Sequence, residues 1–479
     1  MNQQNHIHEP EPERPGADRA RSRRRWWAVG LASVAGLALT TVGVAATPAA
    51  DAIGRTLSAD DRSDKREQPH EGDRRDDDGG KRDDAKNKSD EGKNDKGKGD
   101  KGKGKKTATP KGTPVPCDAD ALIAAITLAN ARDGAVLDLA KDCTYLLTAD
   151  IDGNGLPAIT APITLNGGKN TTIERAAAVD PFRILTVDTG GNLTLNKLTI
   201  TGGQTDSDGG GILVNPAGTL TTNHSTITRN ITNANGGGIA NNGTTTLHHS
   251  TVSRNISGTT GGGIFSTGLL TVKKSHVADN TAGAAGGGIN SNEGTMLVEH
   301  SRITGNQTAT SAGGVELFGG TGIVTKTEIT NNTASATGGV LANSGQLTLR
   351  AVVIANNTAI SGLAGGLSVN PATTTVVEDS TIKNNTAAAN GGGVFNFDSL
   401  VLRNTKVIGN QSGNQGGGIL NGPNATLSLF DTQVVKNIAV TDGGGIFNSG
   451  GVVNLNTATG TVVIKNRPNN CVDVPGCAG

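Results

Sequence analysis

Cationic and titratable side chains recur about once per repeat in the middle of the chain, and they are the first candidates for chemistry. When the repeats are aligned on a Ser/Thr position, six of these side chains fall in one column: His224, His249, Lys274, His300, Lys326 and Arg350. Neighbours in a stack of β-strands lie about 4.8 Å apart, so six would form a cationic stripe about 24 Å long. Such a stripe suits an extended polyanion and would strengthen as histidine protonates at low pH. The alternative is an outward-facing column that simply takes polar residues.

Carboxylates follow further along the same column. Glu378, Asp379, Asp398 and Asp431 form the best acidic group in the repeats. The alignment places Asp379 and Asp431 two repeats apart, with Asn404 between them, at a separation of roughly 9 to 10 Å. Inverting glycosidases hold their two carboxyl groups roughly 6.5 to 9.5 Å apart, so Asp379, Asp398 and Asp431 are the candidate catalytic residues. An outward polar column gives the same pair without catalysis, and the sequence favours a protein that is not an enzyme.

A third candidate site precedes the regular repeats. Residues 150–155 read Asp-Ile-Asp-Gly-Asn-Gly, the first half of an EF-hand loop, so Asp150, Asp152 and Asn154 are candidate Ca²⁺ ligands. The twelfth position is Ala161 instead of the bidentate Glu. The favoured interpretation is therefore an Asx-rich turn without a metal, and no other cofactor is predicted.

A repeat positions these residues. A Gly-Gly-aliphatic signature recurs every 25 to 27 residues and ends at Ile212, Ile239, Ile264, Ile289, Val315, Val340, Leu367, Val394, Ile419 and Ile446. Between the signatures, polar and aliphatic residues alternate over short stretches, which is typical of strands and not of helices. We therefore predict an all-β, right-handed parallel β-helix with three-strand coils of about 26 residues.

Asparagine and glycine mark the turns of each coil. An asparagine follows the third strand at Asn255, Asn280, Asn306, Asn332, Asn356, Asn385, Asn410 and Asn437. Stacked asparagines can hydrogen-bond along the coil axis as a ladder. The glycine runs indicate turns with close backbone approach. A phosphate-binding glycine loop would need a helix after it, and here another strand follows.

The ends of such a solenoid need caps because they expose core and unpaired backbone. Residues 118–131 predict an N-terminal capping helix, with Asp118 or Asp120 as N-cap and Leu122, Ile123, Ile126 and Leu128 or Ala129 at helical spacing. Four cysteines allow three pairings. Adjacency favours Cys117 with Cys143 and Cys471 with Cys477, one disulfide at each end.

The N-terminal quarter differs in composition from the rest. Basic residues at 19–25 precede the apolar residues 26–46 and a stretch of small residues, so residues 1–52 are predicted to be an export signal, cleaved after Ala50 or Ala52. An uncleaved membrane anchor is the alternative. Residues 53–116 are predicted to be a disordered charged linker. The folded part is then residues 117–206, the cap and first irregular coils, and residues 207–479, the repeat coils and C-terminal cap.

A family resemblance rests on the Gly-Gly-Gly-Ile coils and on the opening segments 134–139, 143–145, 155–159 and 191–195. In these the chain resembles secreted bacterial parallel β-helix proteins of the pectin-lyase-like superfamily, and the repeats of polymorphic outer-membrane proteins. In pectate-lyase-like enzymes the resemblance would imply Ca²⁺-binding acids and an arginine base. Polygalacturonase-like relatives use clustered Asp residues with Gly-His-Gly and Arg-Ile-Lys tripeptides. Neither tripeptide occurs here, and Val463-Ile464-Lys465 is only a strand ending in lysine, so the resemblance carries the architecture and not an activity.

Together these features predict an exported bacterial protein, secreted or at the cell surface, or membrane-anchored through its N-terminus if the signal is retained. The formal net charge is zero, so nothing global favours nucleic acid as a partner. A polysaccharide or another cell-envelope component is the expected partner, bound by a non-catalytic, adhesion-type scaffold. The alternatives are a polysaccharide lyase or glycoside hydrolase, and a purely structural spacer.

Overall fold

The computed structural model describes residues 112–478, which form a parallel β-helix of about 14 coils. Strands from successive coils pair in parallel and build four sheets. We number these sheets 1 to 4 in the order in which one regular coil passes through them. One coil illustrates the path: Ile212–Val214 lies in sheet 1, Thr219–Asn223 in sheet 2, Thr226–Thr228 in sheet 3 and Ile231–Thr232 in sheet 4. The predicted β-helix and its coil length are confirmed. The two-residue strand of sheet 4 adds a fourth strand to the three predicted.

The strands of each sheet follow the coils in order. Sheet 1 comprises Leu185–Val187, Ile212–Val214, Ile239–Asn241, Ile264–Ser266, Ile289–Asn292, Val315–Phe318, Val340–Asn343, Leu367–Val369, Val394–Asn396, Ile419–Asn421, Ile446–Asn448 and Cys471–Val472. Sheet 2 comprises Thr113–Val115, Ala135–Leu139, Pro162–Asn166, Asn192–Asn196, Thr219–Asn223, Thr244–His248, Leu269–Lys273, Thr295–Glu299, Thr321–Thr325, Gly345–Arg350, Thr373–Glu378, Ser399–Arg403, Thr426–Phe430 and Val452–Asn454. Sheet 3 comprises Thr144–Leu147, Thr172–Arg175, Thr199–Thr201, Thr226–Thr228, Thr251–Ser253, His276–Ala278, Arg302–Thr304, Glu328–Thr330, Val353–Ala355, Thr381–Lys383, Lys406–Ile408, Gln433–Val435 and Val462–Ile464. Sheet 4 comprises Gln204–Thr205, Ile231–Thr232, Ile256–Ser257, Thr281–Ala282, Gln307–Thr308, Thr333–Ala334, Thr358–Ala359, Thr386–Ala387, Gln411–Ser412 and Ile438–Ala439.

The core is a set of stacks, each made of the same position in successive coils. In sheet 2, Leu220 and Thr222 are fully buried, whereas the alternate residues Thr219 and Thr221 are only half-buried. In sheet 3 one inward stack is entirely aliphatic and fully buried: Ile200, Ile227, Val252, Val277, Ile303 and Ile329. Because side chains alternate between the two faces of a strand, the coil interior is set by every second residue and the outer columns are free to vary.

The glycine runs lie where sheet 4 passes to sheet 1, and they are required by contact between backbones. A Cβ on Gly262 would lie 2.5 Å from the carbonyl oxygen of Gly287 in the next coil. It would also lie 2.5 Å from the carbonyl carbon of Thr281. No side chain fits there, so the glycines are structural.

An asparagine ladder runs inside the turn between sheets 3 and 4. Each side-chain amide donates to the side-chain oxygen of the asparagine in the next coil at 3.0 Å, along Asn230, Asn255, Asn280, Asn306, Asn332, Asn357, Asn385, Asn410, Asn437 and Asn466. The ladder is confirmed at seven of the eight predicted positions. The prediction of Asn356 is wrong, because Asn356 occupies the exposed turn with φ of 55° and its neighbour Asn357 is the buried ladder residue.

The N-terminal cap has the predicted form. The helix spans Ala119–Ala131, the Asp118 side chain accepts from the backbone N–H of Ala121 at 3.3 Å, and Leu122, Ile126 and Ala129 are buried. Of the two alternatives at the last position, Ala129 is the core residue and Leu128 is exposed.

Both predicted disulfides are present, Cys117–Cys143 beside the capping helix and Cys471–Cys477 at the other end. A 3₁₀ turn, Thr457–Thr459, lies in the last coil.

The first coils are less regular, since sheet 1 begins only at Leu185 and sheet 4 at Gln204. The pairing begins earlier than expected, because strand Thr113–Val115 pairs with the end of Ala135–Leu139 although residues 113–115 fall in the segment assigned to the linker. The buried Val115, whose carbonyl accepts from the Tyr145 hydroxyl at 3.0 Å, explains the difference. The predicted export signal and the rest of the linker lie outside the described residues. Within residues 112–478 no helix is long and apolar enough to cross a membrane.

Candidate functional site

The candidate site is the corner between sheets 2 and 3, where a single residue turns the chain. In the coil of His224, that residue has φ of 51° and stands between Asn223, the last residue of its sheet 2 strand, and the buried Ser225. The Ser225 hydroxyl donates to the carbonyls of Asn223 and Leu195, and the Ser225 N–H donates to the hydroxyl of Ser250 in the next coil. The buried hydroxyl therefore fixes the turn, and the residue before it is exposed at the corner.

The same left-handed turn recurs in successive coils, so the corner residues form a column. Twelve residues share this turn, with φ between 42° and 55°, although their chemical types differ: Asp142, Asn170, Lys197, His224, His249, Lys274, His300, Lys326, Ala351, Asp379, Asn404 and Asp431. Backbone hydrogen bonds hold the register, as where the N–H of His249 donates to Lys273 at 3.1 Å and that of Lys274 donates to Glu299 at 2.9 Å. Five of the six residues predicted for the cationic stripe are consecutive members of this column.

The exception is Arg350. It is the last residue of its sheet 2 strand, paired with Thr325 on one side and Glu378 on the other, and Ala351 occupies the corner. The alignment depends on a Ser/Thr position, and this coil has Val352 there, whereas strand pairing fixes the register. The structure supplies Lys197 in its place, one coil before His224. The cationic column is therefore Lys197, His224, His249, Lys274, His300 and Lys326, and we keep that name for these six residues.

Histidine is concentrated at this corner. The five histidines of residues 112–478 all lie in the column or in the outward positions beside it: His224, His249 and His300 in the column, His248 at the end of a sheet 2 strand and His276 at the start of a sheet 3 strand. The rings of His224 and His249 are stacked, with centroids 4.8 Å apart and planes 10° from parallel. The sequence analysis missed Lys197, His248 and His276. Their positions could have indicated them, because Lys197 is one coil before His224, His248 directly precedes His249, and His276 follows Lys274 by two residues.

The surroundings of one of the stacked histidines disfavour its protonation. Desolvation by its neighbours lowers the pKa of His249, and the charges of His224, Lys274 and His248 lower it further. Two acidic residues flank the column and are paired with other cations. Glu299 lies 3.1 Å from the Lys273 amine and Glu328 lies 2.9 Å from the Arg302 guanidinium.

A shallow cavity of about 320 Å³ adjoins the first part of the column, next to Lys197 and His224. Its floor is a short outward row of asparagines in sheet 2. Asn223 donates to Asn196 at 2.9 Å, and Asn196 donates to Asn166 at 2.8 Å. Amide rows and exposed cations together offer hydrogen-bond donors and positive charge to a ligand lying along the coil axis.

The carboxylates predicted as catalytic are only partly brought together. Asp379 and Asp431 are column members two coils apart, and the Asn404 amide between them donates to Asp379 at 2.8 Å. The Arg350 guanidinium lies 3.6 Å from Asp379. Asp398 lies at the opposite end of sheet 2, where its carboxylate accepts from the backbone N–H of Thr373 at 2.9 Å.

The five-residue strand Ser399–Arg403 therefore separates Asp398 from the corner that holds the other two carboxylates, a distance of about 20 Å along the strand. Glu378, the remaining member of the acidic group, lies 3.5 Å from the Arg403 guanidinium. Among residues 112–478, no third carboxyl group joins the Asp379 and Asp431 pair.

The loop considered for Ca²⁺ folds as a turn closed by its own side chains. Asp150 accepts from the backbone N–H of Gly153 at 2.6 Å. The Asn154 amide donates to the carbonyl of Asp152 at 3.0 Å, and the Asn154 oxygen accepts from the Thr186 hydroxyl at 2.7 Å. The oxygen that would face a cation is thus engaged by protein. Within residues 112–478 no three His, Cys, Asp or Glu side chains are grouped so that they could hold a metal ion.

Comparisons of the chain with protein-family models, with curated proteins and with solved structures found no match.

Proposed function

We propose that this protein is an exported, non-catalytic binding protein whose cationic column holds an extended polyanion, such as an acidic polysaccharide of the cell envelope. The observation that carries the proposal is the unbroken run of six cationic or titratable residues in one straight column, flanked by the remaining two histidines of the described chain. Spaced about 4.8 Å apart, the six span about 24 Å, which fits a polymer lying parallel to the coil axis.

The expected affinity depends on pH. Lysine carries its charge at neutral pH, whereas histidine gains charge as the pH falls. An exposed ion pair changes affinity by roughly two- to fivefold, so charging three side chains should raise it roughly ten- to a hundredfold. Because its pKa is lowered, His249 adds its positive charge only at more acidic pH.

Export and the family resemblance belong to the same proposal. The basic, apolar and small-residue order of residues 19–52 is that of an export signal, and two disulfides suit an oxidising compartment outside the cytoplasm. The parallel β-helix supports membership in the pectin-lyase-like superfamily, which we propose together with a bacterial cell-surface or secreted location.

The test compares the full chain with a triple variant, His224→Asn, His249→Asn and Lys274→Asn. Asparagine is the matched replacement because the same left-handed turn already holds Asn170 and Asn404. Binding to immobilised alginate, with dextran as the neutral polymer, is measured at pH 5.5 and pH 8 and at low and high salt. We expect the natural chain to bind alginate more tightly at pH 5.5, to lose it in salt, and to ignore dextran.

The control replaces two exposed lysines of sheet 3, Lys383→Asn and Lys406→Asn, which lie outside the column. It should bind as the natural chain does, and this separates the column from general positive charge, including that of the basic residues 96–106. Equal binding by the triple variant would overturn the proposal. Release of reducing ends or unsaturated products, lost in Asp379→Asn and Asp431→Asn, would replace it with an enzymatic function.

A further inference from the structure

A second group of cations surrounds a cavity in the last coils, at the turn between sheets 3 and 4. The cavity has a volume of about 540 Å³ and is lined by Lys436, Ile438, Lys465, Asn466 and Arg467. Of the described residues that line it, three are basic and none is acidic. The three-residue strands of sheet 3 separate this turn from the cationic column's corner, so the two features are distinct.

The main chain fixes where the three basic residues lie along the turn. Lys436 and Lys465 occupy the same left-handed turn in adjacent coils, with φ of 59° and 58°. Each directly precedes a ladder asparagine, and the Asn437 amide donates to the Asn466 oxygen at 3.0 Å. The N–H of Arg467 donates to the Asn437 carbonyl at 3.0 Å. These bonds fix the Cα positions before any ligand arrives.

The positive charge of the cavity is not balanced by the part of the chain that the structure describes. The ion pairs found within residues 112–478 involve Lys273, Arg302, Arg350 and Arg403, and none involves a cavity residue. Like charges held one coil apart repel each other, and a bound anion would relieve that repulsion. The ladder asparagine Asn466 is 7% exposed and already fully hydrogen-bonded, so it serves as a wall and not as a further charge.

We infer that this cavity is a binding site for a small phosphorylated molecule. A guanidinium matches the geometry of a phosphate with two parallel hydrogen bonds, and lysines bind phosphate as point charges. Three cations suit a dianion better than a single carboxylate. The volume exceeds that of inorganic phosphate and lies within the range of small-ligand sites, and Ile438 offers an apolar surface, so the phosphate would be carried on a ring of sugar size.

The test measures binding of glucose 6-phosphate, inorganic phosphate and glucose to the full chain by calorimetry at constant ionic strength. We expect saturable millimolar or tighter binding of glucose 6-phosphate, weaker binding of inorganic phosphate, and no binding of glucose. The double variant Lys436→Asn and Lys465→Asn should weaken binding at least tenfold. Asparagine occupies the same turn at Asn331, Asn356 and Asn384, so this variant keeps the backbone.

The matched control is Arg229→Asn with Arg254→Asn. These two arginines are also stacked in the same left-handed turn, in earlier coils and away from the cavity. The control should bind as the natural chain does. Three results would each overturn the inference: no saturable binding to the natural chain at 10 mM, an equal loss in the control, or unchanged binding in the Lys436 and Lys465 variant with circular dichroism showing it folded. The cationic column is intact in both variants, so the outcome is independent of the proposed function.

Discussion

One buried carboxylic acid makes the stability of the β-helix depend on pH. Glu316 is in the middle of strand Val315–Phe318 in sheet 1, on the face turned away from the coil interior, yet only 4% of it is exposed. Its partners in the strand pairing are Asn290 in the preceding coil and Leu341 in the following one, and both are also buried. The only hydrogen bond to its carboxyl group from the described residues comes from the Asn290 amide at 3.1 Å. One neutral donor does not replace the hydration of a carboxylate.

Burial therefore raises the pKa of Glu316 from 4.5 to about 7, against the opposing effect of the Asn290 hydrogen bond. The folded-state pKa lies above the unfolded one, so the full stability is present below pH 4.5 and is lost as the pH rises to about 7. In that interval the unfolded chain has released the proton and the folded chain retains it. The loss amounts to about 3 kcal/mol in the free energy of unfolding, and it is constant at higher pH.

Replacing the acid by its neutral isostere tests this directly. Glu316→Gln keeps an oxygen that can accept from Asn290 and removes the ionisation. We expect the variant to match the natural protein at pH 4 and to be about 3 kcal/mol more stable at pH 8, as measured by urea unfolding followed by far-ultraviolet circular dichroism. Glu293→Gln, at an exposed turn, is the control and should leave the pH dependence unchanged. If the difference between Glu316→Gln and the natural protein is the same at pH 4 and pH 8, the buried acid is not the cause.

Two further predictions concern the turns. Asn332→Ala removes the hydrogen bond from the side chain to the Ile303 carbonyl and those to the two neighbouring ladder asparagines. It should lower the free energy of unfolding in urea by about 3 to 5 kcal/mol. Asn331→Ala, at the exposed turn, should lower it by about 1 kcal/mol or less. Gly262→Ala drives a methyl group into the backbone of the next coil and should abolish the cooperative thermal transition. In contrast, Gly322→Ala meets only side-chain atoms at 3.0 Å or more and should shift the transition temperature by a few degrees at most. A benign Gly262→Ala, or an Asn331→Ala that is as costly as Asn332→Ala, would contradict the backbone-contact and ladder arguments respectively.

The fold could be predicted from the sequence because the residues that stack are chemically constrained. Glycines at backbone contacts, aliphatic residues in the core and ladder asparagines recur at one coil spacing, and each has a physical reason not to change. The exception at Asn356 shows where such reasoning ends. Two adjacent asparagines, Asn356 and Asn357, satisfy the same pattern, and only the backbone conformation determines that the first turns the chain and the second enters the ladder.

The candidate site was harder to predict because its residues are exposed and free to vary. The assignment of Arg350 to the cationic column failed by one residue, since this coil has Val352 at the Ser/Thr position used for the alignment. Strand pairing leaves Ala351 as the corner residue. Glu316 gave no signal at all. It occupies an outward position of its strand and is nevertheless buried, which the period-two alternation in the sequence does not encode.

Because exposed corner residues are free to vary, two separate charged features can occur on one solenoid. Each corner residue stands alone in a left-handed turn that is followed by a buried residue, a serine or threonine in most coils at the first corner and an asparagine at the second. A substitution at a corner therefore changes the surface charge without altering the coil. Along the first corner the charges pass from the cations Lys197 to Lys326 to the acids Asp379 and Asp431, while the second corner ends with Lys436 and Lys465. Changing the ligand of such a protein requires only exchanges among residues that tolerate this turn, and the Asn replacements in the two binding experiments apply that rule.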